Sequence, residues 1–405
     1  VSEFVVRARR LATCDPHRAT AIDPLGVLEN VLVRVRDGRI DTIVPDGFDE
    51  PSHGGLHTLE ADLVTPGLVD AHTHAAWVGS RHDEYAIRMA GGDYEAIARA
   101  GGGIVASMRA VRAATVEELT ATLAARLRRM AAQGVTTVEV KSGYGLSLEA
   151  ERKQLEAVAR CAADPTLPRV VATYLALHAL PPEAAGDRDA FAARVAEHEL
   201  PEIAELGLCR FVDAYVDRSA FSVAQARPLC ERARALGLGV RLHVGQFADV
   251  GGAALAAEVG AHSVDHVEHL GPGDAERLAA ADVAAVLLPV ASYTLKQEPP
   301  PIERLRRAGV RLVVASDANP GTAPTESLPL AMAFAVRSYG LTVSETIAGA
   351  TREAARSLAL PELGIVREGA PADLAGFELP HEAALVQPWG TSRLRFALRD
   401  GRAIA

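Results

Sequence analysis

The stretch Pro66-Gly67-Leu68-Val69-Asp70-Ala71-His72-Thr73-His74 decides how the chain is read. An apolar run, Leu63 to Val69, leads into two histidines one residue apart. Side chains two apart on a strand point to the same side, so His72 and His74 present their imidazoles together from a strand end. Two adjacent imidazoles are what a single metal ion needs from its first pair of ligands. A pair of surface histidines would have the same spacing. The rest of the chain must therefore supply, or fail to supply, the missing ligands.

Working outward, short β-rich runs alternate with longer helical ones. Eight runs read as strands: Gly67–Thr73, Thr136–Lys141, Val170–Leu177, Phe211–Asp217, Gly239–Val244, Ser263–Glu268, Val283–Leu288 and Val310–Ser316. Between them, Thr115–Gln133, Leu148–Ala162 and Ala248–Val259 carry Ala, Leu, Arg and Glu at helical periodicity. This alternation predicts an α/β fold, a TIM-like (β/α)8 barrel over residues 63–362. The ends read differently. Val31-Leu32-Val33-Arg34-Val35-Arg36 alternates and turns at Asp37-Gly38, and Leu394-Arg395-Phe396-Ala397-Leu398-Arg399 repeats the pattern before Asp400-Gly401. Asp-Gly between alternating runs is a hairpin signal. Neither half-sheet is large enough to stand alone, so residues 1–62 and 363–405 are expected to build one small composite β domain.

Composition narrows the function classes. Hydrophobic residues make up 49% of the 405, enough for a large core, with aromatics only 4%. The formal charge of −10 argues against nucleic acid, whose binders need a clustered basic face. No N-terminal apolar segment follows a basic start, and no apolar run reaches the roughly 18 residues of a membrane span. Cys14, Cys161, Cys209 and Cys230 are scattered without metal or redox spacing, which fits reduced thiols in a cytoplasm. Val1 in place of Met points to a trimmed start or an alternative start codon. The expectation is a soluble, cytoplasmic globular protein with no nucleic-acid or membrane partner.

In a barrel of this kind the reactive residues sit at the C-terminal ends of the strands, and the unusual polar residues fall there. The first strand ends in His72 and His74, the fifth in His243 and the eighth in Ser316-Asp317; the sixth carries Asp265-His266, and His178 follows the third. His72, His74, His243 and Asp317 make a ligand set suited to one divalent ion, Zn2+ or iron. Such an ion lowers the pKa of a bound water toward neutrality. Asp317 is then placed to accept a proton, and His266 to polarise a carbonyl or relay a proton. Lys141 closes the second strand and is expected to structure its loop; with Asp217 after the fourth strand, one metal rather than two is expected. Arg81, in Gly79-Ser80-Arg81-His82-Asp83-Glu84-Tyr85, is a candidate clamp for a carboxylate. Gly101-Gly102-Gly103-Ile104 would let a loop approach a ligand closely, without the spacing of a nucleotide loop. Gly321-Thr322, after Asn319-Pro320, is expected to offer N–H and hydroxyl donors to an anion.

The motif from Pro66 to His74 resembles the metal motif of the amidohydrolase superfamily. A longer set is more specific: Arg81 to Arg88, Tyr94 to Ile104, Val138 to Leu146, His178-Ala179-Leu180-Pro181-Pro182-Glu183 and Asp317 to Thr322 together resemble the imidazolonepropionase family. The resemblance implies hydrolysis of the cyclic amide of 4-imidazolone-5-propanoate to N-formimidoyl-L-glutamate, in histidine degradation, by a homodimer. It also implies metal binding by His72, His74, His243 and Asp317. Arg81, Tyr144 and His178 would hold the substrate, a carboxylate-bearing heterocycle, with Gln246, Asn319, Gly321 and Thr322 completing the pocket. The chain departs from the family pattern at Gly245, where Asp or Glu is usual, and at Val216-Asp217, where Cys-Glu is usual. Gln246 can orient a ring but cannot shuttle protons, which leaves acid–base work to His266 and Asp317. Two other readings remain: a sister amidohydrolase acting on another five-membered cyclic amide or modified imidazolone, and a metal-binding barrel without catalysis. A deaminase would want an acid at position 246.

Overall fold

The computed structural model describes residues 3–46, 56–91, 102–184, 186–218, 220–387 and 389–405. Four strands open the chain: β1 Glu3–Ala12, β2 Val27–Arg36, β3 Arg39–Pro45 and β4 His57–Pro66. Eight follow: β5 Leu68–Asp70, β6 Val135–Lys141, β7 Arg169–Leu177, β8 Phe211–Val216, β9 Gly239–Val244, β10 Ser263–His266, β11 Ala284–Leu287 and β12 Leu312–Val314. Three close it: β13 Leu374–Phe377, β14 Leu394–Arg399 and β15 Arg402–Ala403.

One sheet has the order β15-β14-β13-β4-β1-β2-β3, so strands from both ends of the chain share it. Its hairpins β2–β3 and β14–β15 turn at Asp37-Gly38 and Asp400-Gly401. All four residues have positive φ (51°, 78°, 48° and 71°), the type I′ geometry that Asp-Gly supplies. The two turns pack together: a Cβ on Gly38 would lie 2.6 Å from the Asp400 carbonyl oxygen, so glycine is required there. Val6, Val33, Val35, Ile40, Phe396 and Leu398 form part of this sheet's own core.

The second sheet runs β5 to β12 in sequence order, every pair parallel. All eight runs predicted as strands form it, with ends shifted by a few residues. Closure comes just past the strand ends. Asp317 N–H donates to the His72 carbonyl at 3.1 Å and His74 N–H to the Ala318 carbonyl at 3.0 Å. Below them, Ser316 N–H donates to Asp70 Oδ1 at 3.0 Å. The seam of the barrel is thus also the place where His72, His74 and Asp317 meet.

Side-chain alternation decides what fills the barrel. Val138, Val140, Val212, Ala214, Val240, Leu242 and Val264 belong to the apolar layer packed with the surrounding helices. Between them on the same strands stand Glu139, Lys141, Asp213, Arg241, His243 and Asp265, all buried and all on the opposite face. The interior is therefore charged beneath the mouth, while Val69, Val171, Val286 and Val313 contribute to an apolar cluster with the helix Arg352–Ser357. The predicted helices Val116–Ala131 and Leu148–Ala162 are present, the first with a reciprocal Thr115–Glu118 capping box. The third begins later than expected, at Gly252, because Gly251 adopts a left-handed φ of 85° and donates to Asp249 Oδ1. Among the described residues no helix is long and apolar enough to cross a membrane.

Candidate active site

Three imidazoles converge at the mouth. His74 Nε2 lies 3.3 Å from both His72 Nε2 and His243 Nε2. Asp317 Oδ1 stands 3.4 Å from His72 Nε2 and 3.5 Å from His74 Nε2. That oxygen is buried and has no hydrogen-bond partner among the described residues, an arrangement that buried polar atoms rarely keep without a ligand. Burial, reinforced by neighbouring cations and imidazoles, holds all three histidines well below their ordinary pKa. Neutral imidazole is the form that ligates. Burial also pushes Asp317 up to about 7, against the pull of His266 and Lys141. A positive ion among these four groups would reverse that shift. The donor set fits a divalent metal on chemistry and on geometry.

The opposite nitrogens are held from inside the barrel. His72 Nδ1 contacts Asp265 Oδ2 at 2.7 Å and His243 Nδ1 contacts Asp213 Oδ1 at 3.1 Å. A carboxylate there fixes the tautomer with Nδ1–H, leaving the Nε2 lone pair for the ion. Asp213, His243 and Asp265 could themselves hold a metal by their spacing, but Lys141 Nζ is already among them, 2.9 Å from Asp213 and 3.6 Å from Asp265. Lys141 does not structure its loop, contrary to the sequence expectation. That work falls to Glu151, which accepts N–H bonds from Gly143, Gly145 and Leu146 at 2.6–2.7 Å, and to Gln154, which accepts from Tyr144 and Gly145. Asp217 is likewise a loop pin, accepting from the Arg218 and Phe247 N–H groups.

His266 sits 5.6 Å, ring to ring, from His243. Its φ of 84° and that of Val267, 61°, are left-handed, a strained conformation for a β-branched residue. Burial would lower its pKa, but Glu268 (Oε2 3.8 Å from Nδ1), Asp317 and Asp265 outweigh that and raise it. Glu268 in turn accepts from Ser292, whose hydroxyl lies 2.6 Å from Tyr339 Oη.

A cleft of about 650 Å³ opens over these groups, and every candidate substrate residue lines it: Arg81, Tyr144, His178, Gln246, Asn319, Gly321 and Thr322. His178 Nδ1 lies 2.7 Å from the Gly143 carbonyl, to which only N–H can donate, so Nε2 is its acceptor. Its ring stacks on His74 at 5.3 Å, and burial takes its pKa down to about 4. Gln246 Oε1 accepts from Tyr215 Oη at 2.6 Å, which leaves its NH2 as the donor. Arg81 is not a free clamp. Its Nε and Nη2 donate to Glu84 at 2.6 and 2.5 Å, and Arg88 donates to the same carboxylate and to the Gly321 carbonyl. Burial works against the Glu84 charge, but Arg81, the Gly103 N–H and Arg88 prevail and lower its pKa.

A second expectation fails. The Gly321 and Thr322 N–H groups do not face an anion; both donate to Asn319 Oδ1, at 2.8 and 2.7 Å. The Asn319 amide donates back to the Asp317 carbonyl and to Thr322 Oγ1. An asparagine two or three residues ahead of an N–H closes such a turn on itself. Of the Gly101–Ile104 loop and the Tyr94 to Ile104 motif, residues 92–101 lie outside the described residues. Sequence reading assigned no part to Glu84, Glu139, Asp213, Tyr215 or Glu268. The four cysteines are free, as expected.

A model of the amidohydrolase family matches residues 63–402, and the chain belongs to that family. Within it, the resemblance is to the imidazolonepropionases. The protein of that name from Methylobacterium nodulans is 45% identical over 382 residues, covering 93% of this chain and 95% of its own. That from Mesorhizobium japonicum is 43% identical over 403 residues, covering 98% and 97%. Among solved structures, a triazine hydrolase variant superposes with a TM-score of 0.71 at 17% identity, covering 100% of this chain and 94% of that one, a likeness of fold.

Proposed function

We propose that the protein hydrolyses 4-imidazolone-5-propanoate to N-formimidoyl-L-glutamate, in the cytoplasm, as a homodimer holding one Zn2+ or iron ion per chain. The observation that carries this reading is the pairing, in one cleft, of the His72-His74-His243-Asp317 set with a guanidinium wall built by Arg81, Arg88 and Glu84. In the reaction the ring C–N amide bond breaks, the carbonyl carbon takes the oxygen of water as a carboxylate, and the nitrogen takes a proton. A divalent ion held by the four residues supplies Lewis acidity and a more acidic water.

The remaining work belongs to side chains of this chain. Asp317, whose Oδ1 faces the imidazoles with no hydrogen-bond partner among the described residues, accepts a proton from the attacking water. His266, whose pKa is raised against burial chiefly by Glu268, donates toward the carbonyl oxygen and relays a proton to the leaving nitrogen. Arg81 holds the propionate. The Gln246 amide and the Tyr144 hydroxyl donate to the ring, His178 Nε2 accepts from a ring N–H, and Asn319, Gly321 and Thr322 shape the wall beside Arg81. The division into a barrel over 63–362 and a β domain from 1–62 and 363–405 belongs to the same reading.

The experiment is turnover of freshly made imidazolonepropionate by purified, metal-replete protein, followed by ultraviolet absorbance. Absence of turnover would sink the proposal. His72→Ala and Asp317→Asn should each lose metal and activity together. Two ions per chain in the wild type would refute the single-metal site.

A further inference from the structure

The interior of the barrel holds three carboxylates, Glu139, Asp213 and Asp265, each with a fully buried or nearly fully buried side chain. Two fixed cations face them. Arg241 is committed to the Ala71 and Ser357 carbonyls and reaches Asp265 only at 3.7 Å. Lys141 Nζ is central: 2.9 Å from Glu139 Oε1, 2.9 Å from Asp213 Oδ2 and 3.6 Å from Asp265 Oδ2. Two of these carboxylates are the ones that contact Nδ1 of His243 and His72. The other face of each imidazole is turned to the metal position.

We propose that Lys141 is a positioning residue for the metal, its ammonium bridging the carboxylates that aim His72 and His243 and standing where a second cation would otherwise sit. Without that charge, Asp213 and Asp265 would be two buried anions beside each other. With no ammonium between them to draw them together, the two carboxylates would move apart, and the imidazoles they hold by Nδ1 would no longer aim both Nε2 atoms at one ion. The strands enforce the geometry: Lys141 ends β6, while Asp213 and Asp265 face the same interior from β8 and β10. The lysine spans the distance between them.

This inference rests on the reading of His72, His74, His243 and Asp317 as metal ligands, and the test separates the two. Zinc affinity of the full-length protein is measured by competition with a chromophoric chelator, on samples whose circular dichroism matches the wild type. Lys141→Met keeps the bulk of the side chain without its charge, and should weaken zinc binding by about 10- to 100-fold, the range for loss of groups that orient metal ligands. The double variant Lys141→Met/Glu139→Gln removes one charge of each sign and so preserves the net charge of the core if the single variant does not fold. It should lose zinc as the single variant does, whereas Glu139→Gln alone should stay within about threefold of the wild type, because Glu139 contacts no metal-binding imidazole. A lysine that only supports the fold would lower the melting temperature and leave zinc affinity unchanged, and that result overturns the inference. So does a double variant indistinguishable from Glu139→Gln alone. A wild type that binds no zinc or iron overturns the ligand assignment, and this inference with it.

Discussion

Gly321 offers a way to move the proposed substrate grip without touching the proposed metal site. Its carbonyl accepts from Arg88 Nη1 at 3.0 Å. A methyl group on its Cα would stand 2.5 Å from Arg81 Nη1 and 2.9 Å from Arg81 Cζ. Comfortable contact needs about 3.5–4.0 Å, so in Gly321→Ala the guanidinium must retreat by roughly 1 Å. An arginine tip in solvent would do so at little cost. This one is fixed by Nε and Nη2 donating to Glu84 at 2.6 and 2.5 Å. Retreat stretches or breaks at least one charge-assisted bond, about 1.5–3 kcal/mol. Gly321 has no left-handed φ, so alanine brings no backbone strain of its own. If Arg81 grips the propionate, the displaced guanidinium weakens substrate binding by a similar amount, roughly 10- to 100-fold at 1.4 kcal/mol per decade. The assay is steady-state hydrolysis of imidazolonepropionate with metal content measured on the same sample. The expected result is a KM higher by about 10- to 100-fold, kcat within about threefold, and unchanged metal. A KM within twofold of the wild type would refute the placement of the carboxylate at Arg81. Loss of metal would refute the separation of grip from metal site.

Two further perturbations test the scaffold. Glu151→Gln replaces an oxygen that accepts backbone N–H bonds with an amide that donates, leaving at least one buried N–H in the loop before Tyr144 or after it unpaired; unfolding free energy in denaturant should fall by about 1–3 kcal/mol. The same variant should raise KM, since the Gly143 carbonyl that receives His178 belongs to that loop. Thr342 and Glu345 form a reciprocal capping box, with Arg306 on the carboxylate. Burial alone would raise the Glu345 pKa, but Arg306 and the Thr342 contacts lower it below 4.5. A depressed carboxylate stabilises the fold above its unfolded pKa and loses that contribution as pH falls through the folded value. Glu345→Gln should therefore be most destabilising at neutral pH, and its deficit against the wild type should shrink below pH 4.5, read by equilibrium denaturation.

Much of the fold was legible because its signals are local. Asp-Gly turns need no partner to be recognised, and both fall where two positive φ values are required. The eight barrel strands could be counted from hydrophobic runs broken by helical periodicity. The clustering of His72, His74, His243 and Asp317 was legible for a related reason: His72 and His74 share a side by their spacing alone, and His243 and Asp317 lie at strand ends, where a barrel concentrates chemistry. The helix after β9 was less so, since a left-handed Gly251 and an aspartate-capped turn delay its start beyond what composition suggests.

What escaped the sequence reading depends on register between strands. Lys141 looked like a loop residue because it is the last residue of β6, and nothing in its neighbourhood names Asp213 or Asp265 as partners. Yet a signal was present. Strands of an all-parallel barrel usually read as continuous apolar runs, since both faces are buried. Here Val138-Glu139-Val140-Lys141, Val212-Asp213-Ala214-Tyr215, Val240-Arg241-Leu242-His243 and Val264-Asp265 alternate instead. Alternation in a strand covered by helices on its outer face requires that the polar face look inward, into the barrel. An inward face carrying ionised groups of both signs is costly unless the charges pair. The strands therefore predict a paired charge network under the mouth before any distance is measured. The sequence does not reveal which lysine meets which aspartate, because β6, β8 and β10 are brought together only by the closed sheet. The wall around Arg81 was hidden in another way: Glu84 is three residues along one helical turn and reads as an ordinary ion pair until its burial places Arg81 and Arg88 on one carboxylate. The motif from Pro66 to His74, legible from nine residues, is silent about such pairings.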